Sequence, residues 1–595
     1  MKKFDPVILE ILWSRLLSVC NEQQLTLMRT AFSTVVRESQ DLACGVFDSR
    51  GRMIAQSQTG TPGHINSMAT GVRHFLKAYP AATLEPGDVM LTNDPWQTAG
   101  QVNDMTVLTP VFVNGAVIAY FASTCHAPDV GGRLLSAEAR EVFEEGIRIP
   151  ITKLFQCGEP NQELIKLLRA NVRTPEETVG DLYAQNSSNA VGARSLLQLM
   201  AEFSLDSIDP VADEIIARSE GALREAIMAL PNGRYESECW CDGFEEPISI
   251  CVAVTIADQD IHIDFAGSSP QSIHGINVVL NYTRAYASFA IKAAICPEVP
   301  HNEGAFRPVH VTAPAGSILN CREPAAVASR HLIGHFIPGA IFAALAPAMP
   351  GKLMAGGSEP VWISLWRGTQ PDGAPFLISH FQLGGAGARG SKDGLSTTGF
   401  PSGVGGVPAE VIESLTPLLQ HHRELRPDSG GAGKFRGGLG QATEMRCLSG
   451  RPWEVSAMAD RIHLPGKGID GGAPGACGEF LLEGEPVPAK SLLMLGPEAH
   501  VQLNLPGGGG YGNPHERAVE DVFNDVVNGY VSATVAEQMY NARIRYIGRE
   551  DQLVRLPEHY VIETSQPVEG SASPSARKPE KPGEEFPNGK ARLPL

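Results

Sequence analysis

Between Leu91 and Arg133 the chain runs LTNDPWQTAGQVNDMTVLTPVFVNGAVIAYFASTCHAPDVGGR, two apolar stretches that read as β-strands with acidic and imidazole side chains at their ends. Asp94, Asp104, His126 and Asp129 flank those stretches, so oxygen and nitrogen donors can converge where the strands stop. This demands a sheet whose strand ends gather chemistry, and it makes the stretch the candidate chemical centre. Cys125 directly precedes His126, but neighbours on a strand point to opposite faces, which favours a buried structural cysteine over a nucleophile.

The elements before it can be read in order. Asp5-Pro6 starts a helix carrying Ile8, Ile11, Leu12, Leu16 and Val19 at helical spacing, which should run from about residue 6 to the late twenties. SQDLACGVFDSRGRMIAQ alternates toward a hairpin turning at Asp48-Ser-Arg-Gly51, with Asp41 at the entry of its first strand. GTPGHINSMATGVRHFLKAY joins a loop carrying His64 to a helix with Met68, Val72, Phe75 and Leu76; His64 reads as a ligand, a substrate contact or a hydrogen-bonded loop residue. VMLTNDP then leads as a strand into the central stretch, where Asp94 reads as a turn residue.

After it, SAEAREVFEEGIRIP reads as an acidic helix, and Glu163 to about Phe203 keeps a helical period throughout. Asn171, Arg173, Asp181 and Gln185 on that stretch could line a pocket or form a solvated face. ISICVAVTIADQDIHIDFAG opens a β-rich region from Tyr235 to about Val311. ASRHLIGHFIPGAIFAALAPAMP is apolar, but Arg330, His331, His335 and Pro338 interrupt it, so a buried helix fits better than a membrane span. Glycine-dense loops follow at 384–394, 401–408, 428–440 and 505–514; none has the P-loop or dinucleotide spacing, and they read as tight turns in a β-rich domain in preference to pocket-lining loops. A last helix is expected over about His515 to Met539, and a Pro-, Ser- and charge-rich disordered tail beyond.

With 595 residues the chain should divide into several domains of about 150 residues each. The reading is a mixed α/β (α+β) multidomain protein: an α/β domain over 1–160 carrying the candidate site, a helical segment over 161–232, a β-rich middle domain over 233–350, a glycine-loop-rich domain over 351–562, and the tail over 563–595. A net charge of −18 argues against a nucleic-acid binder, and nothing suggests membrane association. The lysines of the N-terminus are followed by Asp5, Glu10 and Arg15 without a cleavage site, so no signal peptide is expected. Eleven cysteines, an odd number with only Cys239 and Cys241 close together, suggest neither a disulfide framework nor a zinc site and point to the cytoplasm.

These motifs together resemble the hydantoinase B family, which includes half of 5-oxoprolinase, caprolactamase subunits and subunits of acetone and acetophenone carboxylase. DPVILEILWSRL, RTAFSTVVRESQDLACGVFDSRGRMIAQ, NDPW, NDMTVLTPVF, HAPDVGG, GGAGARGSKDG, DSGGAGKFRGGLG and LPGGGGYGNP carry the resemblance over about residues 4–555. It implies one subunit of a hetero-oligomeric, ATP-dependent enzyme. A partner of the hydantoinase A type hydrolyses ATP, with or without additional small subunits, and this chain helps convert an activated small-molecule substrate.

The resemblance also implies a divalent metal, Mg, Mn or Zn, at the positions of Asp41, Gln101, Asp104 and His126. Gln101 stands where the family has a histidine, and a neutral carboxamide weakens a transition-metal site. Asp41, Asp104 and His126 are left as metal ligands, with Asp41, Asp104, His126 and Asp129 as catalytic groups and Gln101 and His64 as substrate contacts. Asp129 would supply a missing donor or orient His126. A weakened water-activating site tilts the expected reaction toward carboxylation of an enolised or phosphorylated ketone, as in acetophenone carboxylase. The alternatives are an ATP-dependent cyclic-amide hydrolase and a non-catalytic scaffold subunit.

Overall fold

The computed structural model describes residues 4–563; the tail expected over 563–595 lies outside the described residues from position 564 on. The N-terminal sheet has seven antiparallel strands: β1 (Leu42–Asp48), β2 (Met53–Gln56), β3 (Val89–Thr92), β4 (Asp104–Val113), β5 (Ala116–His126), β6 (Thr152–Gln156) and β7 (Glu159–Pro160), in the order β2-β1-β5-β4-β3-β6-β7. Alternate residues serve opposite faces, as the pleat requires. Val46, Val111, Ala119 and Phe121 pack with the Pro6–Thr30 and Pro175–Glu202 helices, whereas Phe47, Leu108, Tyr120 and Ala122 pack with the Pro62–Ala78 helix. Covering both faces explains why the central strands read as apolar runs.

The first helix starts at Pro6 because Asp5 caps it: Oδ1 accepts from the N–H groups of Val7 (2.9 Å) and Ile8 (3.3 Å). The expected long helix from Glu163 to Phe203 is two helices, Gln162–Asn171 and Pro175–Glu202, because Pro175 removes a donor and restarts the turn. Its polar residues are structural. Gln185 is buried and its Nε2 donates to Met105 O (3.0 Å) and Ser123 O (3.1 Å), while Asp181 accepts from the Phe32 N–H (2.7 Å). Asn171 donates to Leu167 O (2.8 Å) within its own helix. The acidic helix expected after Arg133 is a single 3-10 turn, Val142–Glu144.

Beyond the Asp209–Met228 helix, β8 (Gly233–Cys241), β9 (Ile248–Ala257), β10 (Asp260–Asp264) and β11 (Val309–Thr312) form a second sheet in the order β11-β10-β9-β8. The Leu280–Ile295 helix packs on the Pro62–Ala78 helix, where Asn66 Nδ2 donates to Ala285 O at 2.9 Å. The apolar stretch from Ala328 folds as His331–Gly334 and Phe336–Leu345, both buried, and among the described residues no helix is long and apolar enough to cross a membrane.

The last part holds two larger sheets and a small one that pairs Arg543–Tyr546 with Tyr560–Glu563. β12 (Trp362–Thr369), β13 (Pro375–Gln382), β14 (Leu418–Leu425), β15 (Gln441–Cys447), β16 (Trp453–Met458), β17 (Glu479–Leu482), β18 (Glu485–Pro486), β19 (Leu492–Leu495) and β20 (His500–Asn504) are arranged as β13-β12-β16-β19 and β14-β15-β20-β17-β18, sharing a core of Trp362, Trp366, Trp453, Met445 and Leu503. The expected last helix is interrupted at Asn528-Gly529, giving Val519–Val527 and Ala533–Tyr540.

The glycine-dense loops are more than turns, because they lie backbone against backbone. A Cβ on Gly437 would stand 1.9 Å from Gly508 O, one on Gly385 1.9 Å from Gly438 O, and one on Gly507 1.8 Å from Ser429 O. Their N–H groups are engaged in the same stack: Gly438 donates to Ala386 O (2.9 Å), Gly508 to Gly438 O (2.9 Å) and Gly431 to Gly508 O (2.8 Å). These glycines are required because no side chain fits, and those donors are not free for a phosphate.

Candidate functional site

The register of the first sheet builds the site. Asp104, the first residue of β4, pairs with His126, the last of β5, and His126 Nδ1 lies 3.1 Å from Asp104 Oδ1. Asp41 enters β1 beside them, its carbonyl accepting from the His126 N–H at 3.2 Å. Thr61, preceding the Pro62–Ala78 helix, donates its hydroxyl to Asp41 Oδ1 at 2.8 Å, and His64 follows in the first turn. The imidazole of His64 spans the two carboxylates, with Nδ1 3.4 Å from Asp41 Oδ1 and Nε2 3.3 Å from Asp104 Oδ2. Strand ends and a helix start thus bring together Asp41, His64, Asp104 and His126, as well as Gln101 from the loop before β4.

The remaining members come from some 200 residues further on. Arg330, 3% exposed, donates from Nε to Ala99 O (2.7 Å), from one terminal nitrogen to Gln101 Oε1 and from the other to Asp104 Oδ2. Its guanidinium carbon also lies 4.2 Å from the ring centroid of Tyr282. Gln101 Nε2 donates to Ala328 O at 2.6 Å, so both ends of that amide are engaged. His331 and His335 complete the polar lining, and Val361, Ile363, Phe381, Ser402 and Val404 close it from the C-terminal part. The space left among them, about 20 Å³, has room for one water.

Asp129 does not join this group. Two residues past the strand end the chain turns away, and the Asp129 carboxylate accepts from the backbone N–H of Arg173 and from its guanidinium at 2.6 Å. The partner of His126 is Asp104, so Asp129 neither orients that imidazole nor supplies a donor beside it. Asp94 caps the following turn through the Trp96 N–H (3.0 Å). Cys125 is buried, and burial pushes its thiol well above the usual range.

The charges are arranged unevenly. Burial alone would raise the Asp104 carboxyl, but Arg330, His64 and His126 outweigh it and hold it far below the usual carboxylate range. Burial works against protonation of His64, and the carboxylates of Asp104 and Asp41 prevail, raising it. His335 moves the other way, down to about 3, through burial and then the charge of Arg330; His331 is lowered as well, mainly by burial. Two carboxylates, a fixed guanidinium and an imidazole favoured as imidazolium therefore face two neutral imidazoles. Neither ring nitrogen of His331 has a hydrogen-bond partner, although both are buried.

The donor set does not fit a metal in this arrangement. Among the described residues, the one group of three whose ligand atoms all lie within 4.8 Å of one another is His421, Glu444 and His500, on the C-terminal sheet. Asp41, Asp104 and His126 form no such group, and a cation already lies against Asp104. The carboxylate–imidazole–guanidinium cluster can instead move protons and bind an oxyanion without a Lewis acid.

Sequence reasoning did not place Arg330, His331, His335 or Tyr282 here. The signal existed: three of them are the polar residues that interrupt an otherwise apolar buried stretch.

The family model described as Hydantoinase B/oxoprolinase matches residues 5–514. An uncharacterized protein of Methanocaldococcus jannaschii is 33% identical over 562 residues, covering 92% of this chain and 98% of that one. The caprolactamase of Pseudomonas jessenii is similar both as a sequence and as a structure. Its subunit beta is 29% identical over 583 residues, covering 93% of this chain and 98% of that one. The crystal structure of that ATP-dependent enzyme superposes with a TM-score of 0.85 at 27% identity, covering 92% and 98%. A nucleotide-free acetone carboxylase structure shares the fold, with a TM-score of 0.84 at 19% identity over 94% of this chain and 81% of that one.

Proposed function

The chain belongs to the hydantoinase B/oxoprolinase family, and from that premise we propose that it is the substrate-converting subunit of an ATP-dependent cyclic-amide hydrolase. A partner of the hydantoinase A type splits ATP to activate the amide oxygen, and this chain directs water onto the activated carbon. The observation that carries the reading is the water-sized space of about 20 Å³ lined by Asp41, His64, His126, Arg330 and His331. A water held there lies beside the Asp41 carboxylate, which can take its proton, and beside a guanidinium facing the negative charge that builds as it attacks. The likeness to caprolactamase subunit beta along nearly the whole of both chains supports a hydrolase and a partner subunit.

One observation favours a second reading, carboxylation of an enolised or phosphorylated ketone. Arg330 provides a fixed cation in a water-poor pocket, which suits stabilising an enolate against a one-carbon electrophile. The shared fold with acetone carboxylase is compatible with it.

The test is to co-purify the chain with its ATPase subunit and assay hydantoins, 5-oxoproline and lactams for ATP-dependent opening, and small ketones for bicarbonate-dependent carboxylation. Ring opening independent of bicarbonate, reduced about 100-fold or more in Asp41→Asn, is the expected result. A strict bicarbonate requirement would transfer the assignment to the carboxylase. Full activity in both Asp104→Ala and His126→Ala would overturn both readings and leave a scaffold subunit.

A further inference from the structure

The cation of the cluster is tied into the site by more contacts than charge stabilisation alone requires, and its partners are the very residues from which metal ligands were expected. Asp104 has no free side: Oδ1 faces His126 Nδ1 at 3.1 Å, while Oδ2 accepts from Arg330 and lies 3.3 Å from His64 Nε2. Gln101 is engaged at both ends, its oxygen by Arg330 and its nitrogen by Ala328 O at 2.6 Å. Arg330 is anchored independently through Ala99 O (2.7 Å) and the face of Tyr282 (4.2 Å). The segment bearing it is pinned by Glu145, whose Oε1 accepts from the N–H groups of Val327 (2.5 Å) and Ala328 (2.7 Å). A glutamine at 101 and an arginine at 330 therefore make one device.

We propose that the guanidinium of Arg330, held by Gln101 and Asp104, is the permanent cation of this site and excludes a divalent metal from it, so that the subunit works as a metal-free member of its family. A second positive ion within a few ångströms of a buried guanidinium would meet strong repulsion at low dielectric, and Asp104 would have to release Arg330 to ligate it. Of the five guanidinium N–H donors, three serve Ala99, Gln101 and Asp104, which leaves two for an anionic oxygen entering the cavity that Arg330 lines. The charge that a metal would supply as a Lewis acid is supplied here as a hydrogen-bonding fork.

This rests on the cluster being the substrate-converting centre, but it can be tested without substrate, so a wrong reaction assignment and a wrong cation assignment give different results. The full-length chain, purified with its partner, is dialysed and analysed for Zn, Mn, Fe, Co and Ni, then titrated with Zn²⁺ and Mn²⁺ by calorimetry. The wild type is expected to retain no stoichiometric transition metal at this site and to give the same isotherm as Asp104→Asn. The double variant Gln101→His with Arg330→Ala is expected to gain one equivalent of Zn²⁺ in the micromolar range or tighter, through the introduced imidazole together with Asp41, Asp104 and His126. One equivalent bound by the wild type and lost in Asp104→Asn would overturn the proposal. A folded double variant that binds no more metal than the wild type would overturn it too, and if that variant does not fold the wild-type comparison decides alone.

Discussion

His64 sets its Nε2 3.3 Å from Oδ2 of Asp104, the same carboxylate oxygen to which Arg330 donates. Because Asp104 and Asp41 raise the His64 imidazole against the effect of burial, the folded state holds its proton more tightly than the unfolded chain. The resulting stability is fully present below the ordinary histidine value of 6.5 and is lost as pH rises through the raised folded value. Melting temperatures of wild type and His64→Gln, measured from about pH 5.5 to about pH 9, should differ most at the acid end and converge toward the alkaline end. A gap that widens with pH would show that the ring is held neutral.

Glu145 gives the opposite sign for a carboxyl. Burial pushes it up to about 8 even though the N–H groups of Val327 and Ala328 lower it, so the folded state disfavours the carboxylate. Wild type should lose stability relative to Glu145→Gln as pH rises from 4.5 toward about 8, with no further change above. The gain of the variant at the alkaline end should be on the order of 1–3 kcal/mol. Urea unfolding at three pH values measures it, and a pH-independent difference would refute the assignment.

Asp129 holds Arg173 through both its backbone and its side chain, and its own side chain is only 4% exposed. Asp129→Asn should therefore cost about 1–3 kcal/mol in unfolding free energy, while turnover per folded molecule stays near wild type. A turnover loss as large as that of Asp41→Asn would return Asp129 to the chemistry.

Two glycine substitutions should act in opposite directions. Gly437→Ala puts a methyl 1.9 Å from a backbone oxygen of a neighbouring stacked loop and should prevent recovery of soluble chain or cost several kcal/mol. Gly221→Ala lies in the exposed face of the Asp209–Met228 helix with nothing within 4 Å and should stabilise by about 0.5–1 kcal/mol. Thermal melts of the two variants decide both points.

The parts of the site visible in the sequence were those set by local rules. A strand that ends at His126 and another that begins at Asp104 can be read from apolar runs, and antiparallel pairing then places the two residues opposite each other. Asp129 misled because closeness in sequence stops meaning closeness in space once the chain leaves a strand. In the sequence Arg330 reads only as an interruption of an apolar stretch, since nothing local says which distant carboxylate a buried arginine will meet. The glycine loops were visible as glycine, but their packing against one another depends on register between segments far apart in the chain. The break at Pro175 and the one at Asn528-Gly529 carried local signals that helical periodicity overrode.

The Asp104–Arg330 contact spans 226 residues of sequence. At the usual pace of protein synthesis the carboxylates leave the ribosome on the order of ten seconds or more before their cation. During that interval the two carboxylates at the strand ends of the N-terminal sheet have the His64 imidazole between them but not the guanidinium. The order of translation thus separates the making of the N-terminal sheet from the closing of its charge cluster, because Asp104 can meet its guanidinium only after the segment bearing Arg330 has been made.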